Sequence, residues 1–258
     1  MATQPDELAG TEQPFVAHLI ELRDRLVRSL IAVGVVFGVL SFFPGPAALY
    51  DLLAQPLVAE LPQGAHLIAT NVISPFLVPL KITLLAAFLI ALPFVLYQVW
   101  AFVAPGLYNH EKRLILPLVV SSTLLFLAGV AFCYSIVFGR VFHFIQAFAP
   151  KSVSVAPDIE YYLSFVLTMF LAFGATFEVP VVVVVLARMG IVSVDKLKSF
   201  RGYFVVLAFI VAAVITPPDI VSQLSLAIPM CLLYELGLWA AHLMAKRPVD
   251  EPADGATT

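Results

Sequence analysis

The sequence predicts an all-α membrane protein of six transmembrane helices, with both termini in the cytoplasm. Composition is the first observation. Of the 258 residues, 61% are hydrophobic and only 12% are charged, whereas soluble proteins average about 45–50% apolar and about 25% charged residues. The second is a series of uncharged runs, most of them close in length to the roughly 20 residues that a helix needs to cross a bilayer. The third is the clustering of Lys and Arg between alternate runs, which orients such a chain.

Six apolar runs are predicted as spans, in chain order Ser29–Phe43, Ser74–Val99, Leu114–Val137, Tyr161–Leu186, Tyr203–Thr216 and Ile220–Leu243. One membrane domain then comprises a cytoplasmic amphipathic segment (1–28), a six-span region (29–243) and a flexible cytoplasmic tail (244–258). We expect the fifth and sixth spans to be short and to join through a tight outer turn. Prolines inside three spans predict bends and hence a concave bundle: Pro79, Pro93, Pro180 and Pro229.

The basic residues orient the spans. All but three of the 14 Lys and Arg residues fall in the N-terminal segment, the loops after the second and fourth spans, and the tail. The exceptions are Lys81, Arg140 and Lys151. Because basic residues mark cytoplasmic loops, both termini are predicted to be cytoplasmic. Lys81 lies about 28 Å along a helix from Trp100, so its flexible side chain can reach the outer interface.

The segment FVAHLIELRDRLVRSL, residues 15 to 30, predicts an amphipathic helix leading into the first span. Its polar residues His18, Glu21, Arg25 and Arg28 share one stripe. Glu21 and Arg25 are spaced as a helical ion pair, worth about 0.2–0.5 kcal/mol. The pattern alone favours an interfacial anchor with a solvated face.

The segment YQVWAFVAPGLYNHEKR, residues 97 to 113, predicts a short cytoplasmic loop crowded with aromatic residues. The aromatic belt at a membrane surface accounts for part of this pattern. It does not account for Glu111 beside Lys112 and Arg113. A carboxylate flanked by aromatic surface suits an arginine side chain, because guanidinium pairs bidentately with carboxylate and stacks on rings.

One carboxylate, Glu178, lies inside the fourth span, in FGATFEVPVV. It is ten residues before Arg188, or about 15 Å along a helix from the cytoplasmic interface. Ionisable residues at that depth are usually functional. We expect Glu178 to be a docking site for a partner span, with the alternative that it only bonds neighbouring backbone. Whether it also transfers protons is left open by the sequence.

The absent motifs argue against enzymatic chemistry. The chain has no G-x-x-x-x-G-K-[ST] and no H-E-x-x-H, and its five histidines are scattered. Cys133 and Cys231 lie in apolar runs without metal-ligand spacing, so buried small hydrophobes are the simplest interpretation. We therefore expect no catalytic residues, no metal, no cofactor and no nucleic-acid partner.

Four motifs together resemble the TatC family, the multi-spanning subunit of the twin-arginine protein translocase. They are HLIELRDRL, YQVWAFVAPGLYNHEKR, FGATFEVP and TPPDIVSQ, and the resemblance extends from about His18 to Gly237. It implies a six-span receptor of the bacterial inner membrane. Such a receptor binds the consecutive-arginine signal peptides of folded cargo proteins, and the proton gradient drives transport.

The resemblance also implies roles for individual residues. Signal-peptide binding is implied for Glu21, Phe102 and Glu111. Single-span TatB- and TatA-type subunits would dock at the fifth and sixth spans, where Thr216 and Gln223 match a polar contact site. Other positions that match functionally important residues are Arg23, Pro56 and Asp219. Further partners are membrane lipids and other copies of the chain.

Two other functions are compatible with parts of the pattern. A proton-coupled transporter of small solutes would use Glu178 as its proton site, although the sequence shows no second charged residue at that depth and no inverted repeat. A scaffold that gathers single-span proteins differs from the receptor only in whether Glu21 and Glu111 bind a peptide.

Overall fold

The computed structural model describes residues 9–60, 67–103, 115–148, 150 and 156–244. Within them the fold is all-helical, as predicted, with an isolated β-bridge between Ile68 and Asp158. The helices are α1 (Ala9–Phe42), α2 (Pro46–Glu60), α3 (Ser74–Val103), α4 (Ile115–Phe132), α5 (Phe138–Phe148), α6 (Ile159–Phe177), α7 (Val179–Arg188), α8 (Val194–Ser199), α9 (Arg201–Ile215) and α10 (Ile220–Met244). A π-helical turn, Cys133–Val137, joins α4 to α5.

In the described part of the chain, five helical stretches are long and apolar enough to cross a membrane: Val16–Phe42, Ser74–Val103, Ile115–Phe148, Ile159–Arg188 and Ile220–Leu243. The predicted fifth span is α9, which has only 15 residues and extends about 22 Å. The expectation that the sixth span is also short is wrong. α10 has 25 residues with Pro229 inside the helix, so it agrees with the predicted bounds Ile220–Leu243 but not with their description as short.

The N-terminal amphipathic segment and the first span form one helix, α1, of 34 residues. It packs along α3, and its residues from 16 onward are half-buried or exposed. After α1, Gly45 has a φ of 94°, a conformation that glycine adopts without steric cost. α2, which the sequence analysis did not predict, follows this turn and packs against α3 and α5.

The fourth predicted span is interrupted at Glu178. α6 ends at Phe177 and α7 begins at Val179 with Pro180 in its first turn. Because proline has no N–H, Pro180 cannot continue the ladder of hydrogen bonds. The Glu178 N–H instead bonds the carbonyl of Ala175 at 3.1 Å. The sequence predicted a bend at Pro180, and the structure has instead a break at Glu178, two residues earlier.

α4 and α6 approach each other closely in the core. A Cβ atom at Gly129 of α4 would lie 2.5 Å from the carbonyl oxygen of Phe173, and one at Gly174 of α6 would meet the ring of Phe126. Two small residues therefore allow the helices to approach. The surrounding buried cluster joins α3, the α4–α5 stretch, α6 and α10, and includes Leu92, Phe138, Val166, Met169 and Leu226.

Polar groups join the N-terminal ends of α3 and α6, on the side predicted to face outward. Asp158 caps α6 by accepting from the N–H groups of Glu160 and Tyr161. Its second oxygen accepts from the Thr70 hydroxyl at 2.6 Å and the Thr70 N–H at 2.9 Å. These bonds, the hydroxyl's first, lower the pKa of Asp158 to about 2. Lys81 pairs with Glu160 at 3.5 Å, so it lies toward this same end.

Candidate functional site

Glu21 lies in a polar face where α1 meets the C-terminal end of α3. Arg25 Nη2 and Nε both donate to Glu21 Oε1, at 2.6 and 2.9 Å, which confirms the predicted helical pair. Arg25 Nη1 donates to Oε1 of Gln98 on α3 at 3.3 Å. Gln98 is only 5% exposed, so Arg25 ties α1 to a buried amide. Glu21 Oε2 accepts no hydrogen bond from the residues that the structure describes.

Phe102 adds an aromatic ring to the same face. The rings of His18 and Phe102 stack with centroids 4.2 Å apart and planes at 19°. Gln98 and Phe102 are four residues apart, so they share one side of α3. Two of the predicted signal-binding residues, Glu21 and Phe102, are therefore brought to contacting helices, and both are half-buried.

The other residues predicted near this face either point elsewhere or have no described side-chain position. Glu111 lies in 104–114, outside the described residues. Arg23 is exposed and pairs with its neighbour Asp24 at 2.8 Å. It is two positions from Glu21 and so leaves α1 on a different side. Pro56 lies in α2, but its side chain is not among those described.

Glu178 occupies the break between α6 and α7. Both of its carboxylate oxygens are buried and accept no hydrogen bond of ordinary geometry from the described part of the chain. The expected alternative, a carboxylate that bonds neighbouring backbone, does not describe this arrangement. A carboxylate without a partner in an apolar setting is costly unless another group, water or a partner chain satisfies it. The site is therefore suited to binding a polar group.

The α9–α10 turn holds the remaining predicted residues. Thr216 is buried and donates to the Ala212 carbonyl at 2.9 Å. Gln223 Nε2 donates to the Phe209 carbonyl at 3.4 Å, which ties α10 to α9. Asp219 caps α10 by accepting from the Ser222 N–H at 2.6 Å. Nothing in the described chain hydrogen-bonds Glu178 to Thr216 or Gln223, so the structure does not join the three into one cluster.

Three residues near these sites were missed by sequence reasoning: Gln98, Trp100 and Ser122. The crowding of aromatic residues from Tyr97 onward predicted a loop, whereas α3 continues to Val103. Within the helix, Trp100 is 9% exposed and its Nε1 donates to Ser122 Oγ at 2.9 Å. A buried glutamine and serine in apolar runs were the available signal.

The surface of these helices defines the class of protein. Large apolar side chains are widely exposed along α1, α9 and α10, including Leu30, Val35, Val214 and Leu232. Exposed apolar surface on this scale marks contact with lipid or with other proteins. Together with the five long apolar helices of the described chain, it defines a polytopic membrane protein.

Comparisons with known proteins give the family. The family model "Sec-independent protein translocase protein (TatC)" matches residues 17–229. TatC of Haemophilus influenzae is 51% identical over 230 residues, which cover 89% of each chain. TatC of Escherichia coli K12 is 50% identical over 227 residues, covering 88% of this chain and 87% of the relative. TatC of Halothiobacillus neapolitanus is 50% identical over 240 residues, but this chain spans only 65% of its length.

A solved structure agrees with these relatives. The crystal structure of a "Twin Arginine Translocase Receptor- TatC" superposes with a TM-score of 0.75 at 38% identity, covering 88% of this chain and 98% of that one. The chain belongs to the TatC family. It is accordingly a component of a protein translocase in the bacterial inner membrane, in a transport family that is not catalytic.

Proposed function

We propose that the protein is the receptor and core subunit of a twin-arginine translocase. It binds the Arg-Arg signal peptides of folded proteins at the cytoplasmic face and organises single-span partners for export driven by the proton gradient. The contact between α1 and α3 carries this proposal. It brings Glu21 and Phe102, from two separate motifs, to one face through the Arg25–Gln98 bond and the His18–Phe102 stack. A carboxylate beside an aromatic ring suits a guanidinium group.

The geometry of Glu21 leaves room for an incoming arginine. Arg25 Nε and Nη2 both donate to Oε1, and no other described residue donates to Oε2, so a second guanidinium can bind there without displacing the first. An open-surface ion pair contributes only about 0–1 kcal/mol. Two nitrogens of an incoming guanidinium can both donate to Oε2, as those of Arg25 do to Oε1. Such a two-donor pair at a half-buried site is stronger, and lysine cannot form it. Glu111, which follows α3 in the sequence, supplies the second carboxylate in this proposal.

The proposed arrangement in the membrane has six spans, with α9 as the short fifth. The chain forms one membrane domain with a concave bundle, and both termini are cytoplasmic because the basic residues cluster on that side. The N-terminal part of α1 and the tail lie outside the bilayer. The α1–α3 face then opens to the cytoplasm, where signal peptides arrive.

Partner subunits are assigned to the other polar sites. Glu178 has an unsatisfied buried carboxylate, which a polar group of a TatB- or TatA-type span would satisfy. Thr216 and Gln223 mark a second contact along α9 and α10. Arg23, Pro56 and Asp219 are further positions of functional importance. Other copies of the chain and membrane lipids complete the assembly.

Site-specific photocrosslinking from position 111 in membranes tests the receptor. The probe is a signal peptide that carries either Arg-Arg or Lys-Lys. Crosslinking that forms with Arg-Arg and fades with Lys-Lys is the expected result. Equal crosslinking of both peptides would reject the bidentate basis. Failure of both peptides to crosslink to folded protein would leave the scaffold or the solute transporter.

A matched pair of variants isolates the role of Glu21. Glu21→Gln removes the charge at the proposed site while keeping the shape of the side chain. Asp24→Asn makes the same change three residues away, at a carboxylate that pairs with the exposed Arg23. We expect Arg-Arg crosslinking to fall about tenfold or more in Glu21→Gln, as loss of a hydrogen bond to a charged group predicts, and to persist in Asp24→Asn.

A further inference from the structure

Ser122 differs from the two hydroxyl residues beside it. The hydroxyl of Ser121 donates to the Leu118 carbonyl at 3.0 Å, and that of Thr123 donates to the Val119 carbonyl at 2.8 Å. Both therefore bond their own helix, as serine and threonine commonly do in helices. Ser122 instead accepts a hydrogen bond from Trp100 Nε1 at 2.9 Å and is fully buried. Its own proton remains available for another acceptor.

The packing of α4 against the α6–α7 stretch shows which acceptor Ser122 faces. The helices are antiparallel, and Phe126 of α4 meets Gly174 of α6. About two turns along, Val119 shares a buried cluster with Val181 of α7. Ser122 and Glu178 occupy the facing positions between these two contacts. No hydrogen bond of ordinary geometry joins the two side chains in the structure, so the facing positions of Ser122 and Glu178 on the two helices carry the inference.

Trp100 connects this pair to the α1–α3 face. One side of α3 carries Gln98 and Phe102, which contact α1. Trp100 lies between them in sequence and so leaves α3 on the opposite side, since residues two apart on a helix do not face each other. There it packs with Val181 and Val185 of α7. Trp100 thus connects this end of α3 to the helix that begins after Glu178.

We propose that Ser122, held by Trp100, is a positioning residue that donates a hydrogen bond to the Glu178 carboxylate and links its orientation to the signal-binding end of α3. This inference rests on the proposed role of Glu178 as a docking site. The bond from Trp100 holds the serine oxygen in the position that it has in the structure, where it is bonded to α3. Glu178 is then presented to a partner span in one orientation, and the break at the start of α7 is tied to α3.

The test measures Glu178 directly, in membranes that contain the assembled translocase. The rate of modification of Glu178 by a hydrophobic carbodiimide is followed by mass spectrometry of its peptide. Ser122→Ala removes the hydroxyl donor. Trp100→Phe keeps an aromatic ring but removes the indole N–H, which leaves the serine free to bond its own helix. We expect both to raise the labelling rate about tenfold, the factor that a hydrogen bond to a charged group typically represents. Ser122→Thr, which keeps the hydroxyl, should remain within about twofold of the parent.

The neighbouring serine provides the matched control. Ser121→Ala removes a hydroxyl one position away that is bonded to its own helix, and its labelling should equal that of the parent. If Ser122→Ala and Trp100→Phe both match Ser121→Ala, the inference is overturned. Signal-peptide crosslinking from position 111 is measured in the same membranes. If the parent protein shows no crosslinking, the proposed receptor function is rejected. The comparison of labelling rates decides separately whether Ser122 positions Glu178.

Discussion

Gly129→Ala tests the close contact between α4 and α6. An added Cβ would lie 2.5 Å from the Phe173 carbonyl oxygen and 2.9 Å from Cγ of Phe177. Carbon atoms in good contact are about 3.5–4.0 Å apart, so the helices must separate by roughly 1 Å. Overpacking of this kind costs about 1–3 kcal/mol. The displaced residues directly precede Glu178, so the break at the start of α7 should move with them.

Gly139→Ala is the matched control for this substitution. Gly139 lies in α5, and a Cβ there meets nothing within 4 Å. Both variants gain the same helix propensity, up to about 1 kcal/mol, so the difference between them isolates the packing cost. At about 2–4 °C per kcal/mol for a chain of this size, Gly129→Ala should melt about 2–12 °C below Gly139→Ala.

Cys133 provides the assay, because it is fully buried in the core cluster. In a Cys231→Ala background, a thiol-reactive fluorophore reports the exposure of Cys133 as purified protein is heated in detergent. Equal melting temperatures for the two glycine variants would show that the α4–α6 contact is not as tight as described, and the reasoning would fail.

Three further outcomes are expected. Asp158→Asn should lower the melting temperature at neutral pH. The folded pKa of Asp158 lies below the ordinary value of 3.8. The difference in melting temperature between variant and parent should therefore persist above about pH 5 and shrink as pH falls from 4 toward 2. Arg201→Gln should change stability by less than about 1 kcal/mol in the same melting assay, since its 2.7 Å pair with Glu235 is half exposed; a larger loss would mean that the pair is shielded from water. Gln98→Leu keeps the size of the side chain but removes the acceptor of Arg25, so Arg-Arg crosslinking from position 111 should weaken several-fold while the protein remains folded.

The sequence predicted the long spans well because a single physical requirement, an apolar run long enough for a bilayer, determines them. It also predicted the Glu21–Arg25 pair, because helical spacing alone brings the two side chains together. It missed α2, because the prolines and the lower hydrophobicity of this segment are typical of a loop. It located α10 to within one residue, although the span was described as short.

The polar contacts between helices could not be predicted in the same way. The bond from Trp100 to Ser122 joins residues 22 positions apart, and that from Arg25 to Gln98 joins residues 73 apart. Such pairs depend on the rotation and register of two packed helices, which hydrophobic periodicity constrains only loosely. Glu178 was noticed from its chemistry, but the break in the helix beside it depends on how the chain accommodates Pro180.

The attachment of α1 has a mechanical consequence. This helix lies mainly against α3, and its side chains from residue 16 onward are at most half-buried. A force on the N-terminal part of α1 would therefore act on the contact between α1 and α3 before it strained the core around Phe138 and Phe173. Near one end of that contact, the buried Gln98 accepts the hydrogen bond by which Arg25 ties α1 to α3. In the proposed receptor, the α1–α3 contact would therefore bear the force on a bound signal peptide first, before the rest of the bundle.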